Sequence, residues 1–275
     1  MATAFIRAHD GVALHVAEET LDRPRARVVI VHGYAEHLGR YDELAGRLAG
    51  RLFEPHRFDL RGHGHSGGVA AHVARFEDYL DDLGIVLDHV RKSATTACPL
   101  LLLGHSLGGL IALSFVRARP EASAALAVTS PFLRPAFDVP PLKRMVATLA
   151  SAVLPTLPFA NMLDPHWLSH DAAVVAAYAS DPLVKRTTTP RWFTEVEKAQ
   201  QQLLAHAAAV TIPLLMMVGD EDKIADHNVS TEAFARVGSA DKTLRTFRGL
   251  RHEILNETSR DVVIEELLGW LEGHS

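Results

Sequence analysis

The chain has 275 residues, 48% hydrophobic and 22% charged, a composition typical of a soluble globular protein with a sizeable core. Its length fits one α/β domain that carries an insertion. The formal net charge of −5 argues against nucleic acid as a partner, because phosphate binding requires clustered lysine and arginine. The single cysteine, Cys98, cannot form an intrachain disulfide, so the cysteine content does not indicate an oxidising compartment.

The N-terminal sequence MATAFIRAHDG lacks the charged and then apolar order of a signal peptide. No apolar window reaches the roughly 18 residues that a membrane span needs. We therefore expect a cytoplasmic protein without a transmembrane segment. The sequence does not indicate an oligomeric state.

The predicted elements begin with a hairpin, since the Asp-Gly pair in His9–Gly11 lies between two alternating segments. Short apolar runs follow, each ending in glycine, histidine, proline or acidic residues. They are VVIV before HGYAEH, HRFDL before RGHGHSGG, LLLLG before HSLGG, ALAVTS before PF, LLMMV before GDED, and KTLRTF before RGLRHE. Such runs, separated by amphipathic segments, indicate strands buried on both faces of a mostly parallel sheet.

Several segments between these runs have helical periodicity, most clearly YLDDLGIVLDHVRK and RDVVIEELLGWLEGHS. Alternation of strands and helices predicts an open, twisted sheet with helices on both faces. In such sheets functional groups gather at the carboxyl ends of the strands, where the glycine-, histidine- and acid-rich segments fall.

One interval breaks this alternation. Roughly 80 residues separate ALAVTS from LLMMV, far more than a simple crossover needs. Between Val139 and Leu163 the only charges are Lys143 and Arg144. Apolar residues in this interval keep helical spacing, namely Leu142, Met145, Val146, Leu149 and Val153. We expect a helical cap over the active-site end of the sheet; the alternative is a helix pair that only packs on the core.

The segment LLLLGHSLGG leads a predicted strand into glycines around Ser106. The pattern G-x-S-x-G between a strand and a helix is typical of a nucleophile elbow. Small residues are needed at Gly104 and Gly108, because a Cβ there would clash with the strand or the helix, and Ser106 can then hold a strained backbone. We predict that Ser106 is a nucleophile; the alternative is a glycine-rich turn with an incidental serine.

A serine nucleophile needs a base, and the base needs an acid that fixes its tautomer. In this arrangement the three residues follow in the order Ser, Asp/Glu, His. His252 lies after the last predicted strand and is the candidate base. The segment GDED offers Asp220, Glu221 and Asp222 as the acid, and the residues alone leave these three open.

Acyl transfer also needs hydrogen-bond donors for the oxyanion. One candidate is the backbone N–H of Leu107, directly after the nucleophile. The other is the N–H of Tyr34 in the loop after VVIV. Gly33 would also suit a tight turn with positive φ, and the two roles are compatible.

Several segments together resemble the monoacylglycerol lipase and lysophospholipase-like branch of the α/β-hydrolase superfamily. They are HGYAEHLGRYDELA, FDLRGHGHSGG followed by FEDYLDDL, LLGHSLGG, DPLV, VGDEDKIAD and LRHEILNE. The resemblance implies the α/β-hydrolase fold, with a mostly parallel twisted sheet, helices on both faces and a helical cap after the sixth strand. It also implies Ser106 as nucleophile and His252 as base. Since the G-x-x-D of that branch falls on Gly219 to Asp222, it implies Asp222 as the acid.

The motif H-G-x-x-E-H of that branch falls on His32, Gly33, Glu36 and His37, which implies Tyr34 and Leu107 as the oxyanion donors. SHDAAVVAAYASDPLV and TPRWFTEV resemble the cap and its return to the core. We therefore expect a cap over 132–205 and a core of 1–131 and 206–275.

The implied function is a serine carboxylic-ester hydrolase that cleaves monoacylglycerols, lysophospholipids or other small acyl esters through an acyl-enzyme. The resemblance implies no cofactor and no metal. We expect an acyl-ester or lipid substrate, and transient contact of the apolar cap with a membrane or lipid aggregate.

Several alternatives stay open at this point. A peptidase with the same triad would need acidic residues in the cap to bind a substrate ammonium, and Asp164, Asp171 and Asp181 are available. A non-catalytic binding protein would typically lose a triad member, and none is missing. A dehalogenase or epoxide hydrolase is disfavoured because those enzymes use an aspartate nucleophile. His63 and His65 have the spacing of a metal pair, but no third ligand completes a pattern.

Overall fold

The computed structural model describes residues 2–94 and 96–275. The strands in these residues are β1 (Ala2–Arg7), β2 (Ala13–Glu18), β3 (Ala26–Val31), β4 (Phe53–Phe58), β5 (Leu100–His105), β6 (Ala125–Thr129), β7 (Phe159–Ala160), β8 (Thr187–Thr188), β9 (Leu214–Gly219) and β10 (Lys242–Phe247). The α-helices are α1 (Asp42–Gly50), α2 (Glu77–Ser93), α3 (Leu107–Ala118), α4 (Pro141–Val153), α5 (Ala172–Ser180), α6 (Pro190–Ala205), α7 (His227–Arg236) and α8 (Arg260–Glu272).

Eight strands form one sheet in the order β1-β2-β4-β3-β5-β6-β9-β10. The pairs β1–β2 and β2–β4 are antiparallel, and every other pair is parallel, so the predicted mostly parallel sheet is confirmed. The predicted hairpin is also confirmed. Its turn closes with a 2.8 Å hydrogen bond from the N–H of Ala8 to the carbonyl of Val12, and Gly11 adopts φ +85°.

The two faces of the sheet are buried against different helices. Because side chains alternate along a strand, Val29 and Val31 of β3 point to one face and Val28 and Ile30 to the other. Helices α2, α3, α6 and α7 cover the first face, and α1 and α8 cover the second. A fully buried valine or leucine stabilises the fold by about 1.5–3 kcal/mol, so these apolar strands fix the sheet between two helical layers.

The long interval between β6 and β9 contains α4, β7, α5, β8 and α6, with β7 and β8 paired as a small antiparallel sheet. Helix α6 buries Trp192, Val196 and Leu203 in the same cluster as α2 and α3. Helix α4 instead packs on α6, where the hydroxyls of Ser151 and Thr194 lie 2.9 Å apart. The range 132–205 remains our prediction for the cap. Within it, α6 packs into the core, whereas α4 packs on α6.

The predicted helix over the apolar stripe is present as α4, but its apolar side chains are not buried in the core. Each is more than half exposed: Leu142, Met145, Val146, Leu149 and Val153. Over the described ranges 2–94 and 96–275, no helix has the length and apolar character needed to cross a membrane.

Candidate active site

Strand β5 delivers Ser106 to the carboxyl edge of the sheet, directly before α3. Ser106 has φ +53° and ψ −115°, a conformation that costs a non-glycine residue on the order of 1–3 kcal/mol. The neighbouring glycines make it possible. A Cβ on Gly104 would lie 2.5 Å from the carbonyl oxygen of Gly108, and a Cβ on Gly108 would lie 2.0 Å from that of Val31. The crowding predicted at this turn is therefore present.

His252 lies between Ser106 and Asp222, and all three are less than a tenth exposed. Its Nε2 is 2.9 Å from the Ser106 Oγ, and its Nδ1 is 2.7 Å from the Asp222 Oδ2. The other carboxylate oxygen accepts hydrogen bonds from the N–H groups of Ile224 and Ala225, at 2.8 and 2.9 Å. An ionised Asp222 accepts from Nδ1–H, which leaves the Nε2 lone pair directed at the serine hydroxyl.

The two neighbouring carboxylates of GDED have other partners. Asp220 accepts a 2.6 Å hydrogen bond from the N–H of Gly249. Glu221 lies on the outside, 3.7 Å from the Nε2 of His170. Of the three carboxylates that the sequence left open, the structure brings Asp222 to His252.

The pKa values of the two histidines beside Ser106 are shifted in opposite directions. Burial lowers the pKa of His252, but the charge and hydrogen bond of Asp222 outweigh it and raise that pKa above its ordinary value. Burial and the positive charge of His252 lower the pKa of His105 to about 4. The ring centres lie 4.9 Å apart. His105 therefore stays neutral near pH 7, while His252 can accept a proton.

Of the residues predicted as oxyanion donors, one directly follows Ser106 and the other follows β3, the strand that pairs with β5. Leu107 is the first residue of α3, so its N–H has no acceptor within the helix and lies at the positive end of the helix dipole. Tyr34 lies in the loop after β3, and its ring packs on Trp192 with centres 4.2 Å apart. Burial raises the pKa of Tyr34 to about 12, so its hydroxyl remains protonated.

The expectation of a positive φ at Gly33 is wrong. The residue with positive φ in this loop is Ala35, at +66°. Gly33 is needed for close approach instead, because a Cβ there would lie 3.0 Å from the Ser106 Cβ and 2.7 Å from the Glu36 Oε1. The loop of residues 32–37, which carries the predicted donor Tyr34 and is called the oxyanion loop below, thus lies directly against the serine.

The structure adds a buried charged network that sequence reasoning largely missed. Glu36 accepts hydrogen bonds from the N–H of Gly33 and, at 2.8 Å, from the Tyr41 hydroxyl. Arg40 donates to Glu36 at 3.3 Å and also to Glu253. The spacing of four residues between Glu36 and Arg40 is visible in the sequence, whereas Glu253 is 213 positions from Arg40 and carries no local signal.

Burial alone would raise the pKa of Glu36. The neighbouring His105 and Arg40, together with the N–H of Gly33, lower it to about 2. Glu36 is therefore ionised at neutral pH and remains a strong acceptor for the N–H of Gly33, which fixes the start of the oxyanion loop.

The segment RGHGHS forms a structural turn. Arg61 makes two 2.6 Å hydrogen bonds to Asp82, and the Nδ1 of His63 lies 3.1 Å from the carbonyl oxygen of Arg61. Asp59 accepts from the N–H groups of Leu38 and His65 at 2.8 and 2.9 Å. No group of three or more histidine, cysteine or acidic side chains suited to a metal ion occurs in the part of the chain that the structure describes.

Comparison with known proteins identifies the family of this fold and site. Residues 22–259 match the model of the Hydrolase_4 family, described as serine aminopeptidase, S33. The chain is 33% identical over 252 residues to a monoacylglycerol lipase of Mycolicibacterium smegmatis, covering 91% of this chain and 89% of that protein. It is 30% identical over 246 residues to the phospholipase YtpA of Bacillus subtilis, covering 89% of this chain and 94% of that protein.

A solved structure supports the same assignment. The crystal structure of Paleococcus ferrophilus monoacylglycerol lipase superposes with a TM-score of 0.87 and 29% sequence identity, covering 95% of this chain and 99% of that one. The predicted α/β-hydrolase fold is confirmed by this likeness. The chain therefore belongs to the serine aminopeptidase S33 family, Hydrolase_4, and is an α/β-hydrolase enzyme similar to the monoacylglycerol lipases.

Proposed function

We propose that the chain is a serine hydrolase of carboxylic esters, with monoacylglycerols, lysophospholipids or other small acyl esters as its substrates. The observation that carries this proposal is the continuous hydrogen-bonded series from Ser106 through His252 to Asp222. It lies beside the backbone of Tyr34 and Leu107. The names of the relatives, monoacylglycerol lipase and phospholipase, support an ester bond as the target.

The mechanism follows from the geometry. His252 takes the proton of the Ser106 hydroxyl as its oxygen attacks the ester carbonyl, and Asp222 stabilises the imidazolium that forms. The N–H groups of Tyr34 and Leu107 donate to the tetrahedral oxyanion, and loss of one such donor typically costs about 10²–10³-fold in kcat. His252 then protonates the leaving alcohol and activates the water that hydrolyses the acyl-enzyme.

The cap aspartates support an ester over a peptide N-terminus. A peptidase would need a carboxylate available for the substrate ammonium. Asp164 accepts from the N–H of His166 at 2.9 Å, and Asp171 pairs with Arg260 at 3.1 Å. Asp181 pairs with His37 at 2.8 Å. Each of these carboxylates already stabilises a local turn or a contact within the fold.

Activity on a chain-length series of p-nitrophenyl esters and 1-monoacylglycerols, measured beside Ser106→Ala, tests the proposal. The wild type is expected to hydrolyse these esters and Ser106→Ala to lose the activity. Equal rates in both proteins would contradict the mechanism. Turnover of aminoacyl arylamides without turnover of esters would refute the ester assignment and keep the triad.

We also propose that α4 contacts the surface of a lipid aggregate while substrate enters. Its apolar side chains are exposed, and the charges between 139 and 163 are the cations Lys143 and Arg144. A contiguous exposed apolar surface in a soluble domain marks an interaction site. An amphiphilic substrate presented in a micelle or bilayer provides the matching apolar surface.

Matched serine substitutions test this contact. Val153 on α4 is 77% exposed, and Val262 on α8, distant from the cap in the sequence, is 62% exposed. Val153→Ser is expected to raise the apparent KM for micellar 1-monoacylglycerol several-fold and to leave hydrolysis of a soluble short-chain ester unchanged. Val262→Ser should change neither. Equal effects of the two variants on micellar substrate would contradict a role of α4.

A further inference from the structure

The oxyanion loop is held from outside by one short segment of the region between β6 and β9. His37 Nε2 lies 2.8 Å from the Asp181 Oδ2. The N–H of Lys185 donates to the carbonyl of Ala35 at 2.9 Å. The hydroxyl of Tyr34 donates to the carbonyl of Thr187 at 2.6 Å. Three bonds from residues 181–187 thus reach the loop that presents the N–H of Tyr34.

The contact between His37 and Asp181 has a defined polarity. The Nδ1 of His37 accepts a 3.2 Å hydrogen bond from the N–H of Gly39, so the ring proton is on Nε2 and is donated to Asp181. The second oxygen of Asp181 accepts from the N–H of Leu183 at 2.8 Å, which fixes the turn after α5. One oxygen of Asp181 therefore accepts from His37, and the other accepts from Leu183.

The loop needs such support because its backbone is strained. Ala35 has φ +66°, a conformation that costs a non-glycine residue energy unless its surroundings impose it. The three hydrogen bonds hold Ala35 itself and the residues on either side of it, Tyr34 and His37. An oxyanion donor is effective only when it is held in place before the charge develops.

The same region also holds the loop of the base. The N–H of Glu253, next to His252, donates to the carbonyl of Leu168 at 2.8 Å. Leu168, Tyr178 and Val184 form a small apolar cluster with Ile224, which lies just after Asp222. Residues 168–187 therefore contact the oxyanion loop and the loops that carry His252 and Asp222, whereas α4 packs on α6.

We infer that Asp181 is a positioning residue of the oxyanion hole, which acts through His37 to hold the N–H of Tyr34 against Ser106. This inference rests on the proposed function, because it assigns a supporting residue to the same hydrolytic site. Segment 181–187 then belongs to the structure that holds the oxyanion hole in place. Displacement of this segment would then impair the oxyanion hole without any change in the triad.

Asp181→Asn is the most specific test. The Asn oxygen can still accept from the N–H of Leu183, but its NH₂ group then faces the Nε2–H of His37 and cannot accept that proton. His37→Asn is the complementary change, since a shorter side chain can accept from the N–H of Gly39 but does not reach Asp181. Asp138, an exposed aspartate of the same predicted cap, supplies the matched control Asp138→Asn.

Both variants are expected to lower kcat for a soluble p-nitrophenyl ester about tenfold, below the 10²–10³-fold loss of a whole oxyanion donor, with KM changed less than about twofold. Binding of a trifluoromethyl ketone that forms an oxyanion on Ser106 should weaken by a similar factor. The double variant should lose no more than the larger single loss, because both changes break the same contact. Asp138→Asn should match the wild type.

The rate of Ser106 labelling by an alkyl fluorophosphonate separates this inference from the proposed function. A wild type that is labelled but hydrolyses no ester refutes the ester assignment, and slower labelling of Asp181→Asn would still support the positioning role. Wild-type labelling and inhibitor binding in Asp181→Asn would overturn it. So would a loss confined to KM, or one fully accounted for by a smaller folded fraction in circular dichroism.

Discussion

Arg40 donates a hydrogen bond to Glu253, the residue that directly follows His252 in the chain. The same guanidinium pairs with Glu36 in the oxyanion loop and lies over the ring of Tyr178 at 4.9 Å. The Arg40 side chain is 8% exposed, and those of both glutamates are 4% exposed. One buried cation thus pairs with two carboxylates and joins the oxyanion loop to the loop of His252.

Replacement of Arg40 by methionine is expected to destabilise the fold by about 3–5 kcal/mol, because it leaves Glu36 and Glu253 buried without their cation. Urea unfolding measures the change. Arg51 supplies the control, since its pairs with Glu265 and Glu272 lie on the surface, and Arg51→Met should cost less than about 1 kcal/mol. Similar unfolding free energies for the two variants would contradict the structural role of the buried pair.

Two of the three carboxylates after β9, Asp220 and Asp222, give different predictions for activity. Asp222→Asn is expected to lower kcat about 10⁴-fold, since the asparagine favours the wrong histidine tautomer. Asp220→Asn should have little effect, because an amide oxygen can still accept from the N–H of Gly249. Steady-state kinetics on a soluble ester distinguishes them. If Asp220→Asn lost kcat while Asp222→Asn kept it, Asp220 would be the acid and the assignment of Asp222 would be wrong.

The pH profile follows from the sign of the His252 shift. Burial lowers its pKa, but Asp222 outweighs burial and places that pKa above its ordinary value. The base acts when neutral, so kcat/KM should fall as the pH drops through a midpoint above about 6.5. His105 does not titrate in this range, because burial and the charge of His252 lower its pKa to about 4.

In Asp222→Asn the carboxylate charge that raises the pKa of His252 is lost, while the burial that lowers this pKa remains. The acidic midpoint of the residual activity should therefore move to lower pH. A wild-type midpoint below about pH 6.5, or an unchanged midpoint in the variant, would show that Asp222 does not control the base.

The elbow at Ser106 was predictable because its determinants lie within ten residues of each other. The residues alone did not decide among Asp220, Glu221 and Asp222, since the turn after β9 determines which carboxylate faces His252; only the family resemblance implied Asp222. Likewise, the reason for glycine at position 33 depends on Ser106, which is remote in sequence. The periodicity of α4 predicted a helix, but periodicity alone does not say whether an apolar stripe meets the core or remains exposed.

The contact of Gly108 with β3 gives a prediction that concerns packing and activity together. A Cβ on Gly108 would lie 2.0 Å from the carbonyl oxygen of Val31 and 2.5 Å from that of His32, so the backbone must shift. Overpacking of a well-packed site typically costs about 1–3 kcal/mol and occasionally more. Because His32 leads into the oxyanion loop, the shift would also displace the N–H of Tyr34. Gly108→Ala should therefore unfold at lower urea and turn over ester more slowly even when folded.

Gly46→Ala is the matched control for that substitution. Gly46 is exposed in α1, and an added Cβ would meet no atom within 4 Å. Alanine in a helix is better than glycine by about 0.5–1 kcal/mol, so Gly46→Ala should raise the urea midpoint and leave kcat unchanged. If Gly108→Ala instead behaved like Gly46→Ala in both measurements, the first turn of α3 could not be packed against β3, and the strained position of Ser106 would need another cause.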